Sequence, residues 1–307
     1  MKALVTGGAG FIGSNIVSLL LNEGHAVRVL DNLSSGYLEN LEPFPHIELI
    51  EGDVRDATLV QRAIQGIEVV FHLAASVGNR RSIEQPINDS EVNVLGTLNV
   101  LEAMRHTTAR KIVFSSSAGI FGELKFLPIR EDHPVEPDSP YGASKLAAEK
   151  LCLAYSKLYP MEAICLRYFN VYGVNQRYDA YGNVVPTFAR KLLRGEPLTI
   201  YGDGEQTRDF VNVRDVAEAN LLAAMARGTS GAFNIASGTH VTINKLARLM
   251  GDACGLTPVI EYRPPRQGDV CHSMADIAAA NAAFGYMPTI DMGTGLNEYM
   301  QWAKGVL

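Results

Sequence analysis

"KALVTGGAGFIGSNIVSLLLNEG", residues 2–24, passes from a short apolar strand through a glycine-rich turn into an amphipathic helical segment. The turn satisfies two patterns at once: Gly8, Gly10 and Gly13 spell GxGxxG, and Gly7, Gly10 and Gly13 spell GxxGxxG. In either register the glycines permit a tight turn and close backbone approach to a pyrophosphate, with the helix N-terminus facing the anion. Glycine turns are common, so the loop alone is weak evidence. Here a second strand, "AVRVLD", ends on Asp31, 18 residues beyond Gly13 and near the spacing expected of a ribose-holding acid. Asp31 is placed to accept from an adenosine 2′-hydroxyl and to repel a 2′-phosphate, and no Arg or Lys follows in "DNLSSG". NAD is expected rather than NADP.

Outward from this unit, "IELIEGD", "EVVFHLA", "KIVFSSS" and "EAICLRYFN" read as third to sixth strands, with helical stretches notably at 86–106 and 141–159. Apolar strands alternating with helices indicate an α/β fold with a Rossmann-type, doubly wound parallel sheet. Ligands of such sheets bind beyond the carboxyl ends of the strands. After the third strand, "GDVRD" fits an adenine contact by Asp53 and Val54; a turn with a helix N-cap at Asp56 is the plainer alternative, and the two are compatible. Beyond residue 170 loops rich in Tyr, Gly, Asn and Pro alternate with helical pieces near 186–195, 213–227, 242–254 and 293–304. We expect residues 1–168, with a returning segment near 208–236, to form a dinucleotide-binding domain. Most of 169–307 is expected to form a smaller, irregular substrate domain.

Composition narrows the function classes. The 307-residue chain is 47% hydrophobic with a net charge of −6, and it has no basic stripe, which argues against a nucleic-acid partner. Cys152, Cys165, Cys254 and Cys271 show no CxxC pair and no zinc spacing, and are expected to be buried reduced thiols. The chain starts directly with a strand rather than a signal peptide, and no apolar run approaches membrane-spanning length. A cytoplasmic enzyme without a metal site is the simplest expectation.

"SPYGASKLAAEK", residues 139–150, places Tyr141 and Lys145 one turn apart on one face of a predicted helix that opens with Pro140. Ser117 ends the fifth strand 24 residues earlier. A phenol titrates near 10, so serving as a base near neutrality needs a fall of about three units. One neighbouring cation supplies roughly 1–3 units. Lys145 alone is borderline; with a positively charged nicotinamide the two are sufficient. The plain alternative is a solvated helix turn.

"TGGAGFIG", "GDVRD", "HLAA", "FSSSAGIFG", "YGASK", "RYFNVYG", "GDGEQTRDFV" and "RQGDV" occur in this order across nearly the whole chain. Together they resemble the extended short-chain dehydrogenase/reductases, and within them the nucleotide-sugar 4-epimerases of the UDP-glucose/UDP-galactose type. The resemblance implies Ser117, Tyr141 and Lys145 as catalytic residues. It implies NAD contacts by Gly7, Gly10, Phe11, Ile12, Gly13, Asp31, Asn32, Asp53, Val54, Leu73, Ala74, Ala75, Asn93, Tyr141, Lys145 and Tyr168. Arg208 and Arg266 match positions that grip a diphosphate, Asp269 one that holds the uridine ribose, and Asn170 one near the phosphate or sugar. Ser273 matches the position beside the rotating sugar, where a small residue goes with acceptance of N-acetylated sugars. In the implied reaction, Tyr141 takes the proton of the 4-hydroxyl while Ser117 bonds that oxygen; hydride passes from C4 to NAD and returns to the opposite face of a 4-keto sugar.

The same resemblance leaves alternatives. The 4,6-dehydratases carry an acid just after the active-site serine, where this chain has Ala118 and Gly119. UDP-glucuronate epimerases and decarboxylases need groups for a sugar carboxylate, and Arg80 and Arg81 in "SVGNRRS" keep that reading open. NAD-binding regulators on this fold tend to lose the Tyr–Lys pair, which is kept here. Helices 86–106 and 141–159 match those that pair into a homodimer in the family; packing on their own sheet is the plain alternative.

Overall fold

The computed structural model describes residues 1–179, 183–265 and 271–306. Seven strands form one sheet: β1 (Lys2–Thr6), β2 (Ala26–Asp31), β3 (Glu48–Glu51), β4 (Val69–His72), β5 (Lys111–Ser117), β6 (Glu162–Tyr168) and β7 (Gly231–Ile235). Every neighbouring pair is parallel, in the order 3-2-1-4-5-6-7. The order reverses between β1 and β4, so the loops leaving those strands diverge and open a crevice there. The seventh strand, "GAFNI", escapes a sequence reading because it is short and lacks an apolar run. Its pairing with β6, from Ile164 to Tyr168, makes it a strand.

The pleat sorts the core into two layers. Ala3 and Val5 of β1 face one side with Phe71, Val113, Ile164 and Leu166, and are covered by helices Phe11–Asn22 and Val213–Met225 through Ile16, Val17, Leu20, Val216 and Ala219. Leu4 faces the other side with Val70, Ile112, Phe114 and Cys165, under helices Ala57–Ala63, Gly96–Arg105 and Pro140–Leu158. Each fully buried aliphatic side chain contributes about 1.5–3 kcal/mol, so both layers hold the strand ends firmly.

After β6 the chain enters a second core, where helices Val184–Leu193, Ile243–Cys254 and Met292–Ala303 enclose Tyr172, Phe188, Leu246, Met250 and Tyr299. Asn170–Tyr172 pairs in parallel with Phe210–Asn212, stitching this region to the end of β6. Helix Val213–Met225 and β7 then rejoin the sheet layers.

Helical structure in the 86–106 stretch is interrupted: Pro86–Ser90 and Gly96–Arg105 are joined by a π-helical turn, Glu91–Leu95. Such turns concentrate at functional sites. The cysteines are free thiols, but only Cys152 and Cys165 are buried; Cys254 is partly buried and Cys271 exposed, which corrects the expectation for the last two. Among the described residues no helix is long and apolar enough to cross a membrane.

Candidate active site

The glycine turn resolves its own ambiguity. Gly7 has φ +69° and donates to the Leu30 carbonyl, turning the chain off β1. A Cβ on Gly7 would lie 2.8 Å from the Ala74 nitrogen, and one on Gly13 only 2.1 Å from the Gly7 oxygen. A Cβ on Gly10 would meet nothing nearer than the Gly7 oxygen at 3.2 Å. Gly7 turns, Gly13 packs and a Cβ on Gly10 would make that one tight contact alone, so GxxGxxG is the working register. Gly8 is needed for packing instead, since its Cβ would stand 2.8 Å from the Val29 side chain. Gly10 caps helix Phe11–Asn22 without a side-chain partner, which leaves the first-turn N–H groups of Phe11, Ile12 and Gly13 facing outward. This cradle fits a dinucleotide pyrophosphate.

Asp31 is buried at the end of β2, where its carboxylate accepts from the Ala9 and Leu33 N–H groups at 2.9 and 2.8 Å. Burial raises its pKa, and the two backbone donors work against the rise. It therefore braces the glycine turn as well as standing where a ribose hydroxyl would reach. Asp53 is less available than expected. Arg55 binds it through two guanidinium nitrogens at 2.9 and 2.8 Å, and Asn32 donates to it at 2.8 Å. These bonds, with Arg55 foremost, lower its pKa to about 2. Val54 is buried, and Asp56 does cap helix Ala57–Ala63 by accepting from Leu59.

After β4, Leu73, Ala74 and Ala75 are half-buried beside the glycine turn. Their support comes from His72, which the sequence reading passed over inside "HLAA". Thr97 donates to the Asn93 carbonyl, so its oxygen accepts from His72 Nε2–H at 3.0 Å; Thr6 donates to His72 Nδ1 at 2.7 Å and accepts from the Ala74 N–H. Burial, helped by the Lys145 charge, lowers the His72 pKa to about 3, so the ring stays neutral. Asn93 continues the network: its carbonyl accepts from the Ser76 N–H, and its amide donates to the Ser144 hydroxyl at 2.9 Å.

Ser117, Tyr141 and Lys145 come together at the carboxyl ends of β5 and β6. Ser117 pairs with Tyr168 across the sheet, and its Oγ accepts from the Gly119 N–H at 3.1 Å, leaving the hydroxyl hydrogen for Tyr141. Gly119 lies close against the pair: a Cβ would stand 3.3 Å from Ser117 Oγ and in ordinary contact, 3.7 Å, with the Tyr141 ring. The helix that carries Tyr141 and Lys145 starts at Pro140, with Ser139 accepting from the Gly142 N–H. The odd 76–82 loop holds that end, since Ser82 accepts the Tyr141 N–H at 3.0 Å and Asn79 accepts from Ser139.

Lys145 is buried with its Nζ 4.6 Å from the centre of the Phe114 ring. Burial lowers its pKa to about 8 against the opposing pull of Cys152, Asp89, Cys165 and Glu149. Tyr141 is partly exposed as a residue, but desolvation of its hydroxyl raises the pKa; Ser117 works against the rise and Asp89 adds to it. The chain alone therefore does not acidify the phenol, for which Lys145 by itself is expected to be borderline.

Of the remaining expected contacts, Tyr168 (for NAD) is buried with its hydroxyl on Asn220, and Asn170 (for substrate) donates through both its backbone and side-chain N–H to the Asp209 carbonyl, at 3.1 and 3.0 Å. Arg208 is half-buried and donates to the Thr207 carbonyl; Ser273 is buried. Arg266 and Asp269 lie outside the described residues. Asp209 was missed: fully buried, its carboxylate accepts from Ser237 and from the Ala275 N–H, joining three segments. Its only sequence signal is its place beside Arg208.

Residues 3–236 match the NAD dependent epimerase/dehydratase family. A putative UDP-glucose 4-epimerase of Methanocaldococcus jannaschii is 41% identical over 303 residues, 98% of each chain. Among solved structures, a UDP-N-acetylglucosamine 4-epimerase from Methanobrevibacter ruminantium, in complex with UDP-N-acetylmuramic acid, superposes with a TM-score of 0.94 at 36% identity, covering 98% of this chain and 97% of that one. The Thermus thermophilus UDP-glucose 4-epimerase, in complex with NAD, gives 0.90 at 38% identity over 100% of both chains. The chain belongs to the NAD-dependent epimerase/dehydratase family, and NAD is its cofactor.

Proposed function

We propose that this enzyme is a 4-epimerase of UDP-hexoses, acting on UDP-glucose/UDP-galactose and also on UDP-N-acetylglucosamine/UDP-N-acetylgalactosamine. The observation that carries the reading is the convergence of Ser117, Tyr141 and buried Lys145 beside the open glycine cradle. Gly7, Gly10, Gly13, Asp31 and the 73–75 loop would hold NAD, which when bound supplies the redox chemistry at C4, accepting and returning one hydride. Tyr141 holds the proton of the sugar 4-hydroxyl. Ser117, its oxygen occupied by the Gly119 N–H, directs its hydrogen to Tyr141 or to that sugar oxygen. Lys145 supplies positive charge from below, and Asn170 and Arg208, with Arg266 and Asp269, are assigned to the nucleotide-sugar. Residues 1–168 with the returning 208–236 segment would form the cofactor domain and the remainder the substrate domain.

A dehydratase reading is disfavoured because Ala118 and Gly119 stand where its acid would follow the active-site serine. A uronate reading is disfavoured because Arg81 already stands 3.7 Å from Asp179. The exposed Ile87, Leu95 and Leu158 on the 86–106 and 141–159 stretches are assigned to a homodimer contact. The test is NMR of the purified protein with UDP-glucose, UDP-N-acetylglucosamine and UDP-glucuronate in turn. Inversion at C4 of the first two without net redox change is expected; conversion of UDP-glucuronate alone would refute the assignment.

A further inference from the structure

A buried acid that this reaction scheme does not use lies against the catalytic helix. Asp89 is fully buried on the short helix Pro86–Ser90, immediately before the π-helical turn, and both elements pack on Pro140–Leu158. Its Oδ2 accepts from the Ser144 hydroxyl at 2.5 Å, the short separation of a charge-assisted bond, while its Oδ1 has no hydrogen-bond partner. Ser144 is the residue between Ala143 and Lys145, and the Asn93 amide donates to the same hydroxyl. A half-satisfied buried carboxylate is costly, so packing alone does not explain it.

The charged surroundings of Lys145 single Asp89 out. From its own helix Lys145 meets Glu149 and Cys152, with Tyr141 one turn away; from β6 it meets Cys165, and from β4 the neutral His72. Glu149 is already neutralised by Arg167 through bonds of 3.0 and 2.8 Å. Asp89 is held only by neutral groups, the Ser144 hydroxyl and the Asn93 amide. Burial raises its pKa, and those bonds and the Lys145 charge work against the rise, so its charge acts on the pair beside it.

We propose that Asp89 is a positioning residue whose negative charge, fixed through Ser144, sets the working pH of the Tyr141–Lys145 pair. The charge favours the protonated form of both groups: it keeps the buried ammonium charged and holds the phenol back from ionising too early. This rests on the assignment of Tyr141 and Lys145 to proton transfer. Removing the charge must move both limbs of the activity profile in one direction, toward acid.

The experiment is the pH dependence of kcat and KM for UDP-glucose in the NAD-saturated Asp89→Asn enzyme, with Asp89→Ser as a second neutral variant should the first fail to fold. Both limbs should move down by about one pH unit, the lower end of a neighbouring-charge effect. Turnover should then fall about tenfold on the alkaline side while KM stays within about twofold. Ser144→Ala, which removes the donor that fixes the carboxylate, should move both limbs in the same direction but by less than the Asp89 variants do. A uniform loss at every pH, or a profile superposing on wild type, overturns the proposal. Tyr141→Phe run alongside separates the two assignments: if it keeps wild-type turnover, the proton-transfer reading fails first.

Discussion

Alanine at Gly10 and alanine at Gly13 should fail in opposite ways. Gly10 has φ −75° and ψ 177°, open to any L-residue, and its Cβ would meet only the Gly7 oxygen at 3.2 Å. Glycine supplies no side-chain cap there, so alanine should cost the fold only about 0.5–1 kcal/mol. The added methyl instead stands in the space assigned to the pyrophosphate, and a 100-fold loss of NAD affinity, about 2.7 kcal/mol, is expected. At Gly13 the Cβ would lie 2.1 Å from the Gly7 oxygen and 2.8 Å from the Gly8 Cα. Both are backbone atoms that cannot swing aside, so the cost should reach the upper end of overpacking, about 3 kcal/mol. Thermal unfolding with and without NAD reads both. Without NAD, Gly13→Ala should melt about 6 °C or more below wild type and Gly10→Ala within about 2–3 °C, taking 2–4 °C per kcal/mol. With NAD at fixed concentration, stabilisation grows as RT ln(1 + [L]/Kd), so Gly10→Ala should lose about 2.7 kcal/mol of the ligand-induced gain. A Gly10→Ala protein that NAD stabilises as well as wild type refutes the register, and so does a Gly13→Ala protein of unchanged stability.

Tyr141→Phe should lower kcat by about 100-fold or more, the lower range for a lost acid–base group, with KM nearly unchanged; more than a few per cent residual turnover would point to another base. Ser273→Tyr should suppress turnover of the N-acetylated pair and spare the plain hexoses, because a ring in a buried site at the sugar overlaps the larger sweep of an acetamido group at more than the ~1–3 kcal/mol of ordinary overpacking. Equal loss of both pairs would show that Ser273 is not the gate. His72 should contribute to acid unfolding. Its folded pKa is lowered to about 3 from an ordinary 6.5, so the unfolded state binds more protons between those values, and the stability fully present above 6.5 falls as pH drops. Between pH 8 and pH 5 the loss is about 2 kcal/mol, and it should vanish from the urea-unfolding difference in His72→Gln.

Much of the site was legible because its residues sit where strands end, and apolar strands announce themselves. The glycine turn, Asp31, Ser117 and the Tyr141–Lys145 helix all fall at ends that hydrophobic runs mark. The register of the glycines was not legible, because it depends on which Cβ meets the Ala74 loop or its own turn, atoms distant in sequence. Nothing in "GDVRD" says that Arg55 folds back onto Asp53, so that bond was not legible. Asp89 and Asp209 look like any solvated acid in "NDSE" and "TRDF". Their burial is imposed by elements that arrive from elsewhere in the chain: Ser144 on the catalytic helix for one, Ser237 and Ala275 for the other.

The Asp209 junction has a consequence for how the substrate side opens. Its carbonyl holds both N–H groups of Asn170, and its carboxylate holds the N–H groups of Ser237 and Ala275. None of these segments can leave without abandoning the same residue, and abandoning it would strand a buried carboxylate. The backbone amides of Asn170, Ser237 and Ala275 should therefore exchange with deuterium at a single shared rate, as one cooperative unit, while the amides of β1 and β4 keep the slower rate of the sheet. The three segments would then loosen all at once, leaving the glycine turn and its strands closed.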